Sequence, residues 1–174
     1  MLFQESFLTP LGYIRVSADN NNIVAIGFYE QALSDALKKP SALTQGAIQQ
    51  IKEYIQGERR VFDLPLAPTG TAFQQRVWRQ LQRVDYGQTA SYVDIAKALD
   101  KPTASRAVGA ANGKNPIGIV IPCHRVIGAN GSLTGYAGGL DRKSFLLRLE
   151  SARFVDAERS STKNQPQQNA LDLS

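Results

Sequence analysis

Cys123 and His124 are the residues of this chain whose types and spacing most readily suggest chemistry. They are the only cysteine and the only histidine among 174 residues, and they are neighbours. A thiol becomes a strong nucleophile when a nearby base or positive charge favours its thiolate form. A lone cysteine is more often a small apolar side chain of the core. The adjacency of the two residues favours a reactive thiol over a structural one.

A short apolar run leads into this pair. Residues 117–121, with the sequence IGIVI, are typical of a buried strand, and Pro122 follows them. Consecutive side chains of a strand point to opposite faces, so a direct hydrogen bond between Cys123 and His124 needs a bend in the chain. Pro122 and the later glycines could supply that bend, or a water molecule could bridge the two side chains.

The composition excludes several classes of protein. A single cysteine cannot form an internal disulfide and is usual in a reducing compartment. One cysteine and one histidine are too few for a typical zinc site, which takes about four such ligands. The chain contains no apolar window of about 18 residues, and its first residues, with Glu5 among them, do not resemble a secretory signal. We therefore expect a soluble cytoplasmic protein without a metal, a cofactor or a membrane partner.

The positive charge of the chain is confined to one part of it. The whole sequence has a formal net charge of +5. Residues 1–70 contain 6 Lys/Arg and 7 Asp/Glu, whereas residues 71–150 contain 11 Lys/Arg and 5 Asp/Glu, for net charges of −1 and +6. Such an excess is expected of a segment that faces a polyanion, although a basic solvated surface would have the same charge.

The first part of the chain is predicted to form a small antiparallel sheet and a helix. Runs rich in β-branched and aromatic residues, separated by the turn sequences TPLG and DNNN, predict three strands, at residues 3–8, 13–18 and 22–28. Isoleucines at helical spacing before Gly57 predict a helix at 44–56. Residues 61–66 could form another strand, and residues 67–70 are typical of a linker.

The next part is predicted to be helical and to contain a helix-turn-helix. Thr71 with Gln74 forms a capping-box pattern for a helix that runs to about residue 84. Ser91 with Asp94 repeats that pattern for a short helix to Leu99, and a break of four residues separates it from another helix at 104–112, capped by Thr103 and ended by Gly113. Two short helices joined in this way have the spacing of a DNA-binding helix-turn-helix, which also occurs in many other proteins.

The second of these helices combines small residues with one long basic side chain. An apolar stripe is expected to face the core and consists of Ala104, Ala107, Val108 and Ala111. The other face contains Arg106 among the small residues Ser105, Gly109 and Asn112. Such a face can approach the groove of a nucleic acid closely, but it could equally pack against a neighbouring protein element.

The last part of the chain places a glycine-rich loop and a helix after Cys123. The loop contains Tyr136 and five glycines, at positions 128, 131, 135, 138 and 139. Apolar residues at helical spacing predict a helix at about 141–150, with Glu150 at its end. Beyond Phe154 the sequence is polar and is predicted to be a flexible tail.

The motif around Cys123 resembles a known family. Residues 122–128, PCHRVIG, match the active-site motif of the methylated-DNA–[protein]-cysteine methyltransferases, or O6-alkylguanine-DNA alkyltransferases. Segments in the same order and spacing extend the similarity over essentially all of 71–150, at 73–78, 86–92, 106–112, 115–116, 135–139 and 147–150. Residues 1–66 match only in their general layout of strands and a helix.

The resemblance implies an α+β fold and a division of the chain. It implies a small N-terminal α/β (ribonuclease H-like) domain at 1–66, with an antiparallel sheet and a helix. A helical, winged helix-turn-helix-like domain at 67–154 would hold the DNA-binding surface and the active site, and residues 155–174 would form a polar tail. The implied activity is irreversible transfer of a methyl or other alkyl group from O6 of guanine in double-stranded DNA to Cys123.

The resemblance also assigns roles to individual residues. It implies that His124 and Glu150 act through a water to hold Cys123 as a thiolate, that Tyr92 helps to rotate the nucleotide and protonates the leaving guanine, and that Asn115 is a hinge. The implied DNA contacts come from Arg106, which fills the place of the flipped nucleotide, and from Tyr92, Ser105, Asn112 and Arg125. The implied substrate pocket is formed by Val126, Tyr136, Ala137 and Gly138.

Two positions depart from the pattern of some relatives. Ala137 and Gly118 stand where some relatives have serine and proline, which bears on the alkyl groups accepted.

Three other functions compete with repair. A lesion sensor of the alkyltransferase-like kind would lack Cys123, a cysteine hydrolase would need His124 as its general base, and a helix-turn-helix regulator would prefer one DNA sequence. The sequence leaves open the range of alkyl groups, activity on O4-alkylthymine, and whether the protein, expected to be a monomer, loads cooperatively on DNA.

Overall fold

The computed structural model describes residues 1–155 and begins with a three-stranded antiparallel sheet. Its strands are β1 (Phe3–Thr9), β2 (Gly12–Ala18) and β3 (Ile23–Tyr29), in the order β1-β2-β3. The predicted turns join them, and Oδ1 of Asp19 accepts hydrogen bonds from the amides of Asn21 and Asn22. The sheet is therefore a simple meander, as the sequence predicted.

Helix α1 (Ala42–Ile55) covers the inner face of this sheet. Ser41 and Thr44 form a capping box at its start, so the first amides of the helix are paired. Ile14 of β2 packs in the same core cluster as Ile51 and Tyr54 of α1, and all three are fully buried. Burial of these side chains holds the helix on the sheet.

The rest of the described chain is mainly helical. Helix α2 (Ala72–Leu81) starts at the predicted capping box of Thr71 and Gln74. The two-residue strand β4 (Ala90–Ser91) leads into α3 (Tyr92–Ala98), which Ser91 caps as predicted, and α4 (Ser105–Gly113) follows. A single 3₁₀ turn (Cys123–Arg125), strand β5 (Val126–Ile127) and helix α5 (Leu140–Leu149) complete the order, with β5 parallel to β4.

Three local predictions were wrong. Residues 61–66 are not a strand and contribute one isolated bridge, between Leu66 and Ile23. Ile117, Ile119 and Ile121 are buried and Gly118 and Val120 are half-buried, but only Ile117 makes a bridge, because the chain turns at 118–120 with Ile119 at φ 68°. Thr103 does not cap α4: the N-cap is Ala104, and no side chain accepts a hydrogen bond there.

The sheet and the helices share one continuous hydrophobic core. Ile26 of β3 makes a bridge to Ile117, and its amide donates to the carbonyl of Pro116 over 3.0 Å. Trp78 of α2 is buried, and its indole donates to the carbonyl of Ala111 in α4 over 2.8 Å. The molecule is thus an α+β protein in which the loop before Cys123 touches the N-terminal sheet.

The remaining expectations concern membrane spans and the C-terminal tail. No helix among residues 1–155 is both long and apolar enough to cross a membrane. The tail predicted at 155–174 lies, apart from Val155, outside the described residues. Val155 itself makes a bridge to Ser132.

Candidate active site

Cys123 lies at the start of the 3₁₀ turn, immediately after Pro122. It is a free thiol with 5% of its surface exposed, at the wall of a cavity of about 190 Å³. The turn separates the two neighbouring side chains, because the imidazole of His124 points away to Glu150. Within residues 1–155, no group of three or more His, Cys, Asp or Glu side chains is placed to hold a metal ion.

Two asparagines hold the backbone around Cys123. Nδ2 of Asn115 donates to the carbonyl of Ile121 over 2.8 Å, and its Oδ1 accepts from the amide of Ile117 over 3.0 Å. Nδ2 of Asn112, in α4, donates to the carbonyl of Cys123 itself over 3.3 Å. The helix that faces outward with Arg106 is therefore tied directly to the position of the thiol.

A buried cluster of three charged or polar side chains lies behind the thiol. Nε2 of His124 lies 2.9 Å and 3.0 Å from the two carboxylate oxygens of Glu150. Nε of Arg125 donates to the same oxygens over 2.7 Å and 3.1 Å, and its Nη1 donates to the carbonyl of Val84 over 2.7 Å. The carboxylate thus pairs with both residues that follow Cys123.

Burial and pairing set the protonation of this cluster. Burial lowers the pKa of His124, and the hydrogen bond to Glu150 offsets this only in part, so the imidazole is neutral near pH 7. Burial acts to raise the pKa of Glu150, but the hydrogen bonds from His124 and Arg125 outweigh it and hold that pKa below its usual value. Nε2 of a neutral His124 then donates to Glu150, which leaves Nδ1 as an acceptor. Nδ1 is buried and makes no hydrogen bond to the described residues.

The thiol is in an environment that opposes its ionisation. Burial raises the pKa of Cys123 above its usual value, while the Asn115 side chain and the positive charge of Lys143 act in the opposite direction. Lys143 is itself fully buried, and burial lowers its pKa to about 8. Formation of the thiolate therefore requires a base or a nearby positive charge.

Lys143 is a residue of the site that sequence reasoning missed. Its ammonium group donates hydrogen bonds to the carbonyls of Val126, Thr134 and Gly135, which fixes the glycine-rich loop beside the cavity. Its spacing relative to the buried Leu146 and Leu147 in α5 was the available signal. A lysine on the inward face of a helix is buried only when polar partners receive it.

The cavity at Cys123 is formed by three separate segments of the chain. It is lined by Ile26, Gly27, Phe28, Asn115, Gly118, Cys123, Tyr136, Ala137, Gly138 and Arg142. Three of the four predicted pocket residues line it, namely Tyr136, Ala137 and Gly138 of the glycine-rich loop. Val126 does not, because it is fully buried and its carbonyl faces Lys143. The sequence contained no signal for Phe28 or Arg142, which reach the cavity only through tertiary packing.

The exposed face of α4 has the composition expected of a nucleic-acid contact. Arg106 projects from an exposed face of α4 that also contains Ala107 and Ala110. The expectation that Ala107 faces the core was wrong, since the buried residues of α4 are Val108, Ala111 and Asn112. The hydroxyl of Tyr92 lies 3.2 Å from the carbonyl of Thr134, and it accepts a hydrogen bond from the Thr134 hydroxyl over 3.1 Å. The exposed residues of α4 are thus small except for Arg106.

Comparison with known families decides which group of proteins shares this site. A model described as 6-O-methylguanine DNA methyltransferase, ribonuclease-like domain, matches residues 2–68. A second, described as 6-O-methylguanine DNA methyltransferase, DNA binding domain, matches residues 72–152. The chain belongs to the 6-O-methylguanine DNA methyltransferase family. The resemblance based on the motif around Cys123 is thereby confirmed.

Relatives and solved structures of this family match almost the whole described chain. A methylated-DNA–protein-cysteine methyltransferase of Methanosarcina acetivorans is 44% identical over 155 residues, which cover 87% of this chain and 99% of the relative. The O6-methylguanine methyltransferase of Mycobacterium tuberculosis superposes with a TM-score of 0.79 at 40% identity, covering 93% of this chain and 99% of that one. The structure of Mycobacterium tuberculosis OGT in complex with DNA also has a TM-score of 0.79, at 42% identity, covering 86% and 92% of the two chains.

Two residues expected to contact DNA lie elsewhere in this member of the family. Arg125 has 7% of its surface exposed, and its guanidinium is bound to Glu150 and to the carbonyl of Val84. Asn112 is buried and faces the backbone of Cys123. Both expectations are corrected, because these polar side chains are occupied by partners inside the protein. Ser105, the first residue of α4, is half-buried at its N-terminal end.

Proposed function

We propose that this protein repairs DNA by transferring an alkyl group from O6 of guanine to Sγ of Cys123. The observation that carries the proposal is the free thiol of Cys123 at the wall of a cavity, next in the chain to His124, whose imidazole is paired with the buried Glu150. The family relatives named as methylated-DNA–protein-cysteine methyltransferases support the same reaction. The 1–66 segment would support the cavity, and residues 67–154 would contain the DNA-binding surface and the nucleophile.

Double-stranded DNA is proposed to bind at the exposed face of α4. The part of the chain from 71 to 150 has a net charge of +6, which suits a polyanion. The small residues beside Arg106 allow the backbone to approach a minor groove, and the arginine can occupy the space that a flipped nucleotide leaves. Asn112 connects this helix to the carbonyl of Cys123, so binding at α4 is linked mechanically to the thiol.

His124 is proposed to act as the base that generates the thiolate. Its Nε2–H is held by Glu150, so Nδ1 is the nitrogen with a free lone pair. A water between Nδ1 and Sγ would carry the proton from Cys123 to the imidazole, and the charge of Glu150 would stabilise the imidazolium that forms. Asn115 keeps the backbone before Cys123 in place during the reaction.

The transfer itself is a displacement at the alkyl carbon. The Sγ–C bond forms as the C–O6 bond breaks, and the electron pair of that bond stays on the guanine. Tyr92, near the mouth of the site, is proposed to donate a proton to the leaving guanine, because a guanine anion leaves poorly. The product is a thioether on Cys123, which thiols do not reverse, so each molecule acts once. Since sulfur is both nucleophile and final acceptor, the reaction requires no cofactor.

All groups in this scheme belong to one chain, so we propose that the protein acts as a monomer. We also propose that it acts in the cytoplasm. Tyr136, Ala137 and Gly138 would form the wall next to the alkyl group. Gly138 has no side chain, which leaves room for the rings of Tyr136 and Phe28 beside this wall. The lesion is then recognised by the fit of the flipped base and not by the surrounding sequence.

The proposal is tested by mixing the protein with a duplex that contains one O6-methylguanine and measuring the intact protein by denaturing mass spectrometry. We expect a stoichiometric gain of one methyl group that maps to Cys123 and is absent from Cys123→Ala. Tight binding of the lesion without a mass gain would indicate a sensor instead. If the protein neither binds the lesion nor gains mass, the proposed repair function is overturned.

A further inference from the structure

The cavity at Cys123 has a wall that comes from the N-terminal sheet. Ile26 and Phe28 of β3 line it, together with the backbone of Gly27, and the glycine-rich loop supplies Tyr136, Ala137 and Gly138. Side chains two positions apart on a strand share a face, so Ile26 and Phe28 point the same way, and Tyr29 points to the other side of the sheet. The N-terminal unit therefore contributes directly to the space next to the nucleophile.

The ring of Phe28 is enclosed by two glycines and a tyrosine. A Cβ atom placed on Gly138 would lie only 2.9 Å from Cδ2 of Phe28 and 2.8 Å from Cε1 of Tyr136. A Cβ atom on Gly118 would lie 4.0 Å from Cε2 of Phe28 and 3.2 Å from the carbonyl oxygen of Ile26. The rings of Phe28 and Tyr136 meet edge to face, with centroids 6.3 Å apart. The absence of a side chain at Gly138 is what leaves room for the ring here.

The guanidinium of Arg142 packs against the ring of Phe28. Its guanidinium carbon lies 4.9 Å from the centroid of Phe28. Nε donates to the carbonyl of Leu11 over 2.7 Å, Nη1 to the carbonyl of Gly138 over 3.1 Å, and Nη2 to Glu30 over 3.2 Å. One side chain thus ties the β1–β2 turn and the glycine-rich loop to the aromatic wall. Displacement of the ring away from the cavity would disturb these contacts.

We propose that Phe28 sets the upper size of the alkyl group that Cys123 accepts. This inference rests on the proposed alkyl transfer. A methyl group on O6 needs little space beyond the guanine itself. A benzyl group extends further into the cavity and must displace a wall that is packed on Gly138 and stacked on Arg142. The N-terminal sheet therefore decides the substrate range, although the nucleophile lies in the other part of the chain.

The test compares two substrates in the full-length protein. Wild type, Phe28→Ala and Tyr29→Ala are each mixed with duplexes that contain O6-methylguanine or O6-benzylguanine. Intact-protein mass spectrometry then measures the rate constant for adding one methyl or one benzyl group. Tyr29→Ala is the matched control, because it removes a neighbouring aromatic ring from the opposite face of the same strand. We expect the benzyl-to-methyl ratio to rise about tenfold in Phe28→Ala and to stay unchanged in Tyr29→Ala.

Phe28→Leu covers the case in which the alanine variant does not fold, as judged by thermal unfolding. It keeps the apolar contact but shortens the wall, so the ratio should rise in it as well, by a smaller factor. An unchanged ratio in a folded Phe28 variant would overturn the size limit while leaving alkyl transfer established. No methyl transfer by the wild type would instead overturn the proposed function, and the size limit with it.

Discussion

His124 and Glu150 form a pair in which both side chains are shielded from solvent and Nε2 of the imidazole lies 2.9 Å from a carboxylate oxygen. The same carboxylate receives the guanidinium of Arg125, with Nη2 at 2.6 Å from Oε1. One buried negative charge therefore balances a buried positive charge and orients the imidazole behind Cys123. Stability and reactivity of the site depend on the same group, and the two can be measured separately.

Glu150→Gln should lower both stability and reactivity. The variant leaves the charge of Arg125 buried without a counter-charge, and removal of one partner from a buried pair costs about 3–5 kcal/mol of unfolding free energy. Urea unfolding measures this loss, and the rate of methyl transfer from a duplex should fall in parallel. Glu53→Gln breaks the half-exposed pair with Arg59 and should cost less than about 1 kcal/mol. Equal losses in the two variants would contradict the structural account of the cluster.

The free energy of unfolding should fall as the pH is lowered from 7 to 5. Burial holds the pKa of His124 below its ordinary value of 6.5 in the folded protein, so the unfolded chain binds a proton in this range more readily than the folded one. Protonation therefore favours unfolding. His124 is the only histidine, which makes urea titrations at several pH values a direct test. His124→Asn should lose most of the dependence between pH 7 and 5.5, and an unchanged slope in that variant would contradict the assignment.

Gly138→Ala should destabilise the protein and slow methyl transfer. The added methyl group would lie within 3 Å of both Tyr136 and Phe28, and overpacking of this kind costs about 1–3 kcal/mol. The shift of the wall also narrows the cavity beside Cys123. Gly46→Ala, within α1, is the control, because a Cβ at this position meets no atom within 4 Å. This substitution should stabilise the protein by about 0.5–1 kcal/mol. Thermal unfolding and transfer rates measure both effects.

Arg106→Ala should impair repair of duplex DNA without affecting the chemistry at Cys123. If the arginine takes the place of the flipped nucleotide, its loss leaves the unstacking cost of a few kcal/mol uncompensated, and the rate on duplex should fall by about tenfold or more. The reaction with free O6-methylguanine base needs no flipping and should proceed at the wild-type rate. Lys38→Ala removes one exposed positive charge from the N-terminal part and controls for net charge. Slower reaction with the free base would indicate that Arg106 supports the active site itself.

Tyr92→Phe should slow alkyl transfer more than it weakens DNA binding. The substitution removes the hydroxyl near Thr134 but keeps the ring, which packs beside Gly109. A general acid contributes about 10²–10⁴-fold to rate, so a fall of about 100-fold is expected under single-turnover conditions. Fluorescence anisotropy with a labelled duplex measures binding. A transfer rate within a factor of about two of the wild type would remove the tyrosine from the protonation step.

The nucleophile, the family and most of the elements could be predicted from the sequence. Cys123 and His124 stand out because each is the only residue of its kind, and the motif around them has fixed neighbours. The strands and the caps of α2 and α3 follow from local rules, in which alternation, turn residues and Ser/Thr caps act within a few positions of each other. Interactions between residues a few positions apart can be predicted from the local sequence alone.

The surroundings of the thiol were decided only by tertiary structure. Residues 117–121 looked like a strand because they are apolar, but a buried turn is equally apolar, and contact with Ile26 selects the turn. The resemblance implied that Arg125 contacts DNA, but the carboxylate of Glu150, 25 positions later, pairs with it in the interior. Phe28 reaches the cavity from nearly 100 positions before Cys123. Long-range packing and buried pairing depend on which distant partners meet, and no local pattern contains that information.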